Sequence, residues 1–84
     1  MKTRRVAIAD GETPFMVPAQ RFAIGPAAEG GYTVHVSVDG ETFVETDVEA
    51  SEGDIKVVDA YPAGMYYKLD GNAGQLRLLY EEED

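Results

Sequence analysis

The single histidine of the chain, His35, is the side chain best suited to acid–base chemistry at neutral pH. In an extended segment it shares a face with Thr33 and Ser37, so it could act as a general base toward the serine hydroxyl. Nucleophilic catalysis also requires an orienting partner and an oxyanion hole, and no glycine motif for such a hole accompanies the pair. We therefore interpret His35 as a surface histidine on a sheet and expect no enzymatic activity.

Acidic residues are concentrated between positions 39 and 59, and calcium is the chemistry that this concentration suggests. Calcium takes roughly six to eight oxygen ligands, often from Asp-rich loops. The spacing of Asp47, Glu49 and Ser51 resembles the start of a calcium loop, but the glycine stands at 53 rather than 52 and position 58 is Val instead of a closing Glu. We expect no metal, and we interpret the cluster as a solvated face or a surface that meets a basic partner. Its members are Asp39, Glu41, Glu45, Asp47, Glu49, Glu52, Asp54 and Asp59.

Other catalytic and cofactor sites find little support in the residues. Among 16 acidic residues a pair of carboxylates can always be chosen, so such a pair is no evidence for glycoside cleavage. Gly25, Gly30 and Gly31 do not follow the strand-then-helix pattern of a phosphate-binding loop. We expect no cofactor.

Five tyrosines invite a hypothesis of carbohydrate stacking or of protein contact. Tyr66 and Tyr67 are adjacent, so in a strand their rings point to opposite faces, and one ring faces away from the core. Tyrosine is enriched at interfaces because it buries a large ring and keeps a polar tip. A protein interface is the favoured interpretation, with ordinary packing and sugar binding as the alternatives.

Length and charge limit the possibilities further. The 84 residues suffice for one small domain, residues 1–84, and there is no Cys for a disulfide or a thiolate metal site. The formal charge of −9 argues against nucleic acid, which requires a cationic footprint. The apolar stretch at 6–9 is far too short for a signal peptide or a membrane span, so we expect a soluble protein with no membrane partner.

Apolar and polar residues alternate with period two along almost the whole chain, which predicts strands rather than helices. Gly, Pro and Asp turns separate the alternating segments, so we expect an all-β fold, a small antiparallel β-sandwich or jelly-roll-like domain of about eight short strands. The predicted strands are 5–9, 13–17, 21–24, 32–38, 42–48, 55–60, 65–69 and 75–80.

The segment 32–48 predicts a hairpin in which Asp39 and Gly40 supply the positive-φ positions of a tight turn. We expect one alternate set of side chains in its first strand to face the core, namely Tyr32, Val34, Val36 and Val38. In the strand at 55–60 we expect Ile55 and Val57 to be buried, and Val58 is a further candidate for burial.

The two ends of the chain carry opposite charge, basic over residues 1–5 and acidic over residues 81–84. These ends could be held by pairing with each other, by a neighbouring copy or by a larger assembly.

Three segments, in order, resemble small structural proteins of tailed bacteriophages. Residues 6–13 (VAIADGET) resemble their opening strand and turn, and residues 32–43 (YTVHVSVDGETF) are similar to their central hairpin, with Phe43 in place of the commoner Trp. Residues 62–69 (PAGMYYKL) are similar to a later strand that precedes a Gly-rich turn. The order of the motifs, rather than any one of them, carries the resemblance.

The resemblance implies a non-enzymatic virion protein, made in the host cytoplasm and incorporated into the phage particle. Proteins of this kind are capsid decoration or cement proteins, head fibres, and small tail or baseplate components. We expect a capsid decoration or cement protein whose partners are the major capsid protein or other virion proteins, and which forms a homo-oligomer, a trimer or a dimer. We expect the apolar contacts to come from Tyr66 or Tyr67 with Phe43 and Phe15, and polar contacts from Arg4, Arg5 or residues 81–84. The alternatives are a tail or baseplate module that contacts tail proteins or host glycans, and an acidic inhibitor of a basic host protein.

Overall fold

The computed structural model describes residues 2–10, 13–71 and 75–83, and these form eight strands and no helix. The prediction of an all-β fold is therefore confirmed, and every predicted strand has a counterpart. The turns predicted at residues 10–11 and 70–74 lie partly outside the described residues. The strands are β1 (Lys2–Asp10), β2 (Phe15–Met16), β3 (Phe22–Ile24), β4 (Tyr32–Ser37), β5 (Val44–Ala50), β6 (Lys56–Val58), β7 (Tyr66–Asp70) and β8 (Gln75–Glu83).

The strands form two four-stranded antiparallel sheets. Sheet I has the order β1-β8-β3-β6, and sheet II has the order β2-β7-β4-β5. Within them, β1 pairs with β8, β2 with β7, β3 with β6 and β4 with β5. The chain is thus one long hairpin whose successive strand pairs alternate between two sheets, which is the topology of a jelly roll.

The core lies between the sheets and is held by an aromatic cluster around Tyr67. This side chain is fully buried, and its ring centroid lies 4.7 Å from that of Phe22, which belongs to the opposite sheet. Phe15 stacks against Tyr67 at 5.9 Å, and Tyr61 meets it edge-on at 6.4 Å. Aliphatic side chains from alternate positions of both sheets complete the core; among them are Ile24, Val34, Val58, Leu69, Leu76 and Leu78.

Two tyrosine hydroxyls are buried in this core, on Tyr32 and Tyr67, and neither has a hydrogen-bond partner among the described residues. Burial, with a smaller contribution from the charge of Asp54, raises the pKa of Tyr32 to about 12. Burial also raises the pKa of Tyr67, and the nearby Tyr61 adds to this effect. Both rings therefore contribute their apolar surface, while their hydroxyls carry a desolvation cost.

We predict that Tyr67→Phe leaves the free energy of unfolding unchanged or raises it by about 1 kcal/mol, because it removes a buried hydroxyl without a partner and keeps the ring. Tyr67→Ala should lower it by about 3–5 kcal/mol, since it leaves a cavity between the sheets. Urea denaturation followed by far-UV circular dichroism measures both changes. A Phe variant less stable than the wild type would show that the hydroxyl has a partner.

Three burial predictions are wrong, and each concerns an apolar side chain at the end of a strand or on an outer face. Val38 is 80% exposed because β4 ends at Ser37 and a loop begins at Val38. Ile55 precedes β6 and is 63% exposed, while Val57 points to the outer face of sheet I and is 49% exposed. In β6 the core position belongs to Val58, the further candidate.

Gly31 precedes β4 and has backbone requirements that another residue could not meet. Its φ is +67°, in the left-handed region, and a Cβ atom there would collide with the carbonyl of Ala50 at the end of β5. Gly53 also has a positive φ, +83°, but a Cβ atom there would have open space around it.

Alanine variants of Gly31 and Gly53 distinguish the energetic cost of a steric collision from the cost of backbone strain. We predict that Gly53→Ala costs about 1 kcal/mol, the penalty for a left-handed alanine. Gly31→Ala should cost several times more, because the β4–β5 pairing must also open. Thermal unfolding of both variants measures the difference in stability, and equal losses of stability would contradict the predicted collision at Gly31.

Candidate interaction surfaces

The loop between β4 and β5, residues 38–43, is organised by two side chains. Ser37 Oγ accepts hydrogen bonds from the N–H groups of Asp39 (3.2 Å) and Gly40 (2.9 Å), and it donates its proton to Asp39 Oδ1 (2.7 Å). The same oxygen of Asp39 accepts from the N–H groups of Glu41 (2.8 Å) and Thr42 (3.0 Å). The predicted two-residue turn is therefore wrong in detail: Gly40 alone in this loop has a positive φ, and side chains satisfy the backbone of a longer connection.

The network also determines the charge state of Asp39. Hydrogen bonds from Thr42 N–H, Glu41 N–H and the Ser37 hydroxyl lower the pKa of its carboxyl from 3.8 to about 2. Because the folded-state pKa lies below the unfolded value, the ionised carboxylate stabilises the folded state above about pH 4. This contribution is lost as the pH falls toward 2.

We predict that the stability difference between the wild type and Asp39→Asn is constant above about pH 5 and falls to a small remainder by about pH 2. Urea midpoints measured from pH 7 to pH 2 test this expectation. Glu41→Gln is the matched control, since it removes a charge from the same loop and leaves both acceptors of the network in place. A wild-type advantage over Asp39→Asn that is as large at pH 2 as at pH 7 would contradict the assignment.

The loop folds back over sheet II and forms one edge of a surface that we call the aromatic corner, consisting of Met16, Phe43, Tyr66 and Lys68. A Cβ atom on Gly40 would lie 3.3 Å from the Tyr66 ring, so the loop rests on that ring. Met16 pairs with Tyr66 and is 48% exposed, and Lys68 Nζ lies 5.2 Å above the Phe43 ring in a cation–π contact. Aromatic residues and Met are enriched at protein interfaces, so this half-buried cluster is a candidate binding surface.

His35 lies on the outer face of sheet II, as predicted. Its register partners are Glu45 and Lys68, and its Nε2 is 3.8 Å from Asp70 Oδ2. The Ser37 hydroxyl donates to Asp39 rather than to the imidazole. The arrangement is that of a surface charge cluster on a sheet.

The acidic cluster of the sequence is divided by the fold. Glu45, Asp47 and Glu49 lie on β5, an edge strand of sheet II, and form what we call the acidic edge. Because β5 is extended, Asp47 and Glu49 do not curl around a common point as calcium-loop ligands do. Among the described residues, no three His, Asp or Glu side chains are close enough to share a metal ion. Charged side chains on an edge strand also discourage pairing with another chain.

The oppositely charged ends of the chain pair with each other, which is the first of the three arrangements considered. β1 and β8 are neighbours, with Lys2 opposite Glu83 and Arg4 opposite Glu81. Arg5 Nε lies 3.8 Å from Glu82 Oε2 on a half-exposed surface, where an ion pair contributes little stability. Residues 2–5 and 81–83 are thus parts of strands in sheet I.

The outer face of sheet I carries an apolar row that crosses all four strands. Val6 on β1 lies opposite Leu79 on β8, Leu79 opposite Ala23 on β3, and Ala23 opposite Val57 on β6. Three of these side chains are large and solvent-exposed, by 65% at Val6, 41% at Leu79 and 49% at Val57. Ile8, two residues beyond Val6 on β1, is 63% exposed.

The six residues proposed from the sequence as interface contacts fall into three groups. Phe43 and Tyr66 come together in the aromatic corner. Tyr67 belongs to the core and half-buried Phe15 packs against it, so of the adjacent tyrosines only Tyr66 can meet a partner. Arg4 lies on the outer face of sheet I, next to the apolar row, whereas Arg5 pairs with Glu82. Sequence reasoning missed the apolar row, although the alternating segments β1 and β8 already contain two of its members, Val6 and Leu79.

Comparisons of the chain with protein-family models, with curated proteins and with solved structures returned no match. Within the described ranges, no helix is long and apolar enough to cross a membrane.

Proposed function

We propose that the protein is a non-enzymatic virion structural protein of a tailed bacteriophage, and specifically a capsid decoration protein that binds the head shell across subunit contacts. The observation that carries this proposal is that both outer faces of the jelly roll keep apolar side chains in solvent. One face has the apolar row, and the other has the aromatic corner. Exposed apolar patches on small soluble domains mark interaction sites.

The fold supports the proposal by analogy. Jelly rolls recur in viral capsid proteins, and also in lectins and cupins. Such an analogy concerns architecture and does not identify an activity. It agrees with the motif order that resembles phage structural proteins, and the two together favour a virion role over an unrelated binding module.

The aromatic corner is the surface that we assign to the shell. Tyr66 is held by the loop that rests on its ring, so the ring loses little conformational freedom on binding. Lys68 above Phe43 supplies a cation on a chain with a net charge of −9, which suits a partner with exposed carboxylates or carbonyl groups. Buried aromatic anchors beside a charged rim are the usual composition of binding hot spots.

Co-sedimentation with heads that lack this protein, prepared from the phage that encodes it, tests the proposal. We expect the purified chain to sediment with the heads and to raise their resistance to heat. Tyr66→Ser should weaken binding by at least about tenfold, as loss of an aromatic hot spot does. Ile55→Ser is the matched control, because it removes an exposed apolar side chain from the other sheet, and it should bind like the wild type.

The other outcomes of this assay identify the alternatives. Binding to tails but not to heads would make the protein a tail or baseplate module. Retention on a basic host protein, abolished by salt, would indicate an acidic inhibitor that acts through the acidic edge. If the folded chain sediments with neither heads nor tails, the virion proposal is lost.

A further inference from the structure

A row of charged residues runs beside the apolar row on the outer face of sheet I. Arg4 on β1 lies opposite Glu81 on β8. Arg21 directly precedes Phe22, whose register partners are Tyr80 and Val58, so in extended backbone Arg21 lies between Glu81 and Asp59. All four charged residues line one open groove of about 870 Å³ together with Ala23, Val57 and Leu79. We call them the charged row.

The signs in the charged row alternate across the sheet. In the strand order β1-β8-β3-β6 they read positive, negative, positive, negative. A row of this kind has a specific symmetry: when it is reversed end to end, every positive position meets a negative one. It is therefore complementary to a copy of itself.

From this symmetry we infer that the outer face of sheet I pairs with the same face of a second copy of the chain. The two-fold axis runs parallel to the strands and passes between β8 and β3, so that β1 of each copy faces β6 of the other. Arg4 then faces Asp59 of the second copy, and Glu81 faces Arg21, each contact occurring twice. All four charges of each copy receive an opposite partner.

The apolar row fits the same axis. Val6 meets Val57 of the second copy, and Leu79 meets Ala23, so a large side chain faces a small one and the two surfaces can interlock. A two-fold axis across the strands would instead set Arg4 against Ile8, which lies on the far side of the apolar row. The charges and the apolar side chains thus select one axis independently.

The charge distribution of the chain also favours this face over the other. The chain carries 7 Lys and Arg against 16 Asp and Glu. Lys2, Arg4, Arg21 and Arg77 lie on or beside the outer face of sheet I, whereas sheet II presents the acidic edge. Repulsion between two copies is therefore weakest when they approach through sheet I.

The contact is small. Four strands spaced by about 4.8 Å, with three outward positions on each, give about 400 Å² a copy. Stable complexes bury about 800 Å² a partner, so we expect a weak dimer with a Kd in the micromolar range or above. Many copies held side by side on a larger particle would strengthen such a contact through their high local concentration.

Sedimentation velocity of the purified full chain, from micromolar to millimolar concentration, tests the inference without any other virion component. We expect a concentration-dependent dimer. Arg21→Glu and Glu81→Arg should each weaken it by at least about tenfold, because each variant sets like charges against each other at two contacts. Circular dichroism establishes that the variants are folded.

The decisive sample is an equimolar mixture of the two variants. In the mixed dimer, each position 21 again faces an opposite charge at position 81, so affinity should return to that of the wild type. The double variant Arg21→Glu/Glu81→Arg in one chain should also dimerise. Glu45→Arg is the control, since it reverses a charge on sheet II and should leave the dimer unchanged.

Three results would overturn the inference. One is a wild-type chain that stays monomeric at millimolar concentration. Another is a dimer that both single variants leave intact, which would indicate a different surface, such as the free edge of β1. The third is a mixture of folded variants that fails to recover the dimer.

Discussion

The contact between Tyr67 and Phe22 is the interaction on which the rest of the structure depends. These rings come from different sheets, and their centroids are 4.7 Å apart, so they fix how the two layers of the sandwich meet. A domain of this size buries too little surface for its core to tolerate a poor fit. Phe15 and Tyr61 enclose the same ring from the short strand β2 and from the β6–β7 connection. One aromatic cluster therefore joins both sheets and the β6–β7 connection.

The thin core has a consequence for the surface. Each strand alternates, and with two layers only one of its faces can be covered, so apolar residues beyond the capacity of the core remain outside. Val6, Ile8 and Leu79 on sheet I are of this kind, as is Met16 on sheet II. A domain with exposed apolar side chains on both faces gains stability from neighbours that bind its folded form. The proposed roles of the two sheets, with sheet II facing a shell and sheet I facing another copy, assign one neighbour to each side.

The sequence predicts the strands well because period-two alternation and Gly, Pro and Asp turns are local signals. It predicts the faces less well, since alternation tells which residues share a side but not which side is covered. Val57 and Val58 illustrate this: both are apolar and adjacent, and only the pairing of β6 with β3 decides that Val58 is inside. The sequence indicates part of the aromatic corner, because Phe43 and Tyr66 are prominent aromatic residues. Only the fold shows that the loop before β5 places Phe43 near Lys68 and Tyr66 of β7. The charged row had no local signal, since its members are scattered from position 4 to position 81 and meet only through strand order.

The position of β8 within sheet I has a consequence for folding during synthesis. This strand is the last of the eight in chain order, yet it lies between β1 and β3 and supplies hydrogen bonds to both. β1 therefore pairs with a strand that is synthesised some seventy residues later. Nearly all contacts within sheet I likewise join residues that are far apart in the sequence. Long-range pairing slows folding, because loop-closure entropy is lost before the contacts compensate for it. Nascent chains that have not yet added β8 therefore expose the free edges of β1 and β3, so the growing polypeptide is exposed to aggregation until that strand has been made.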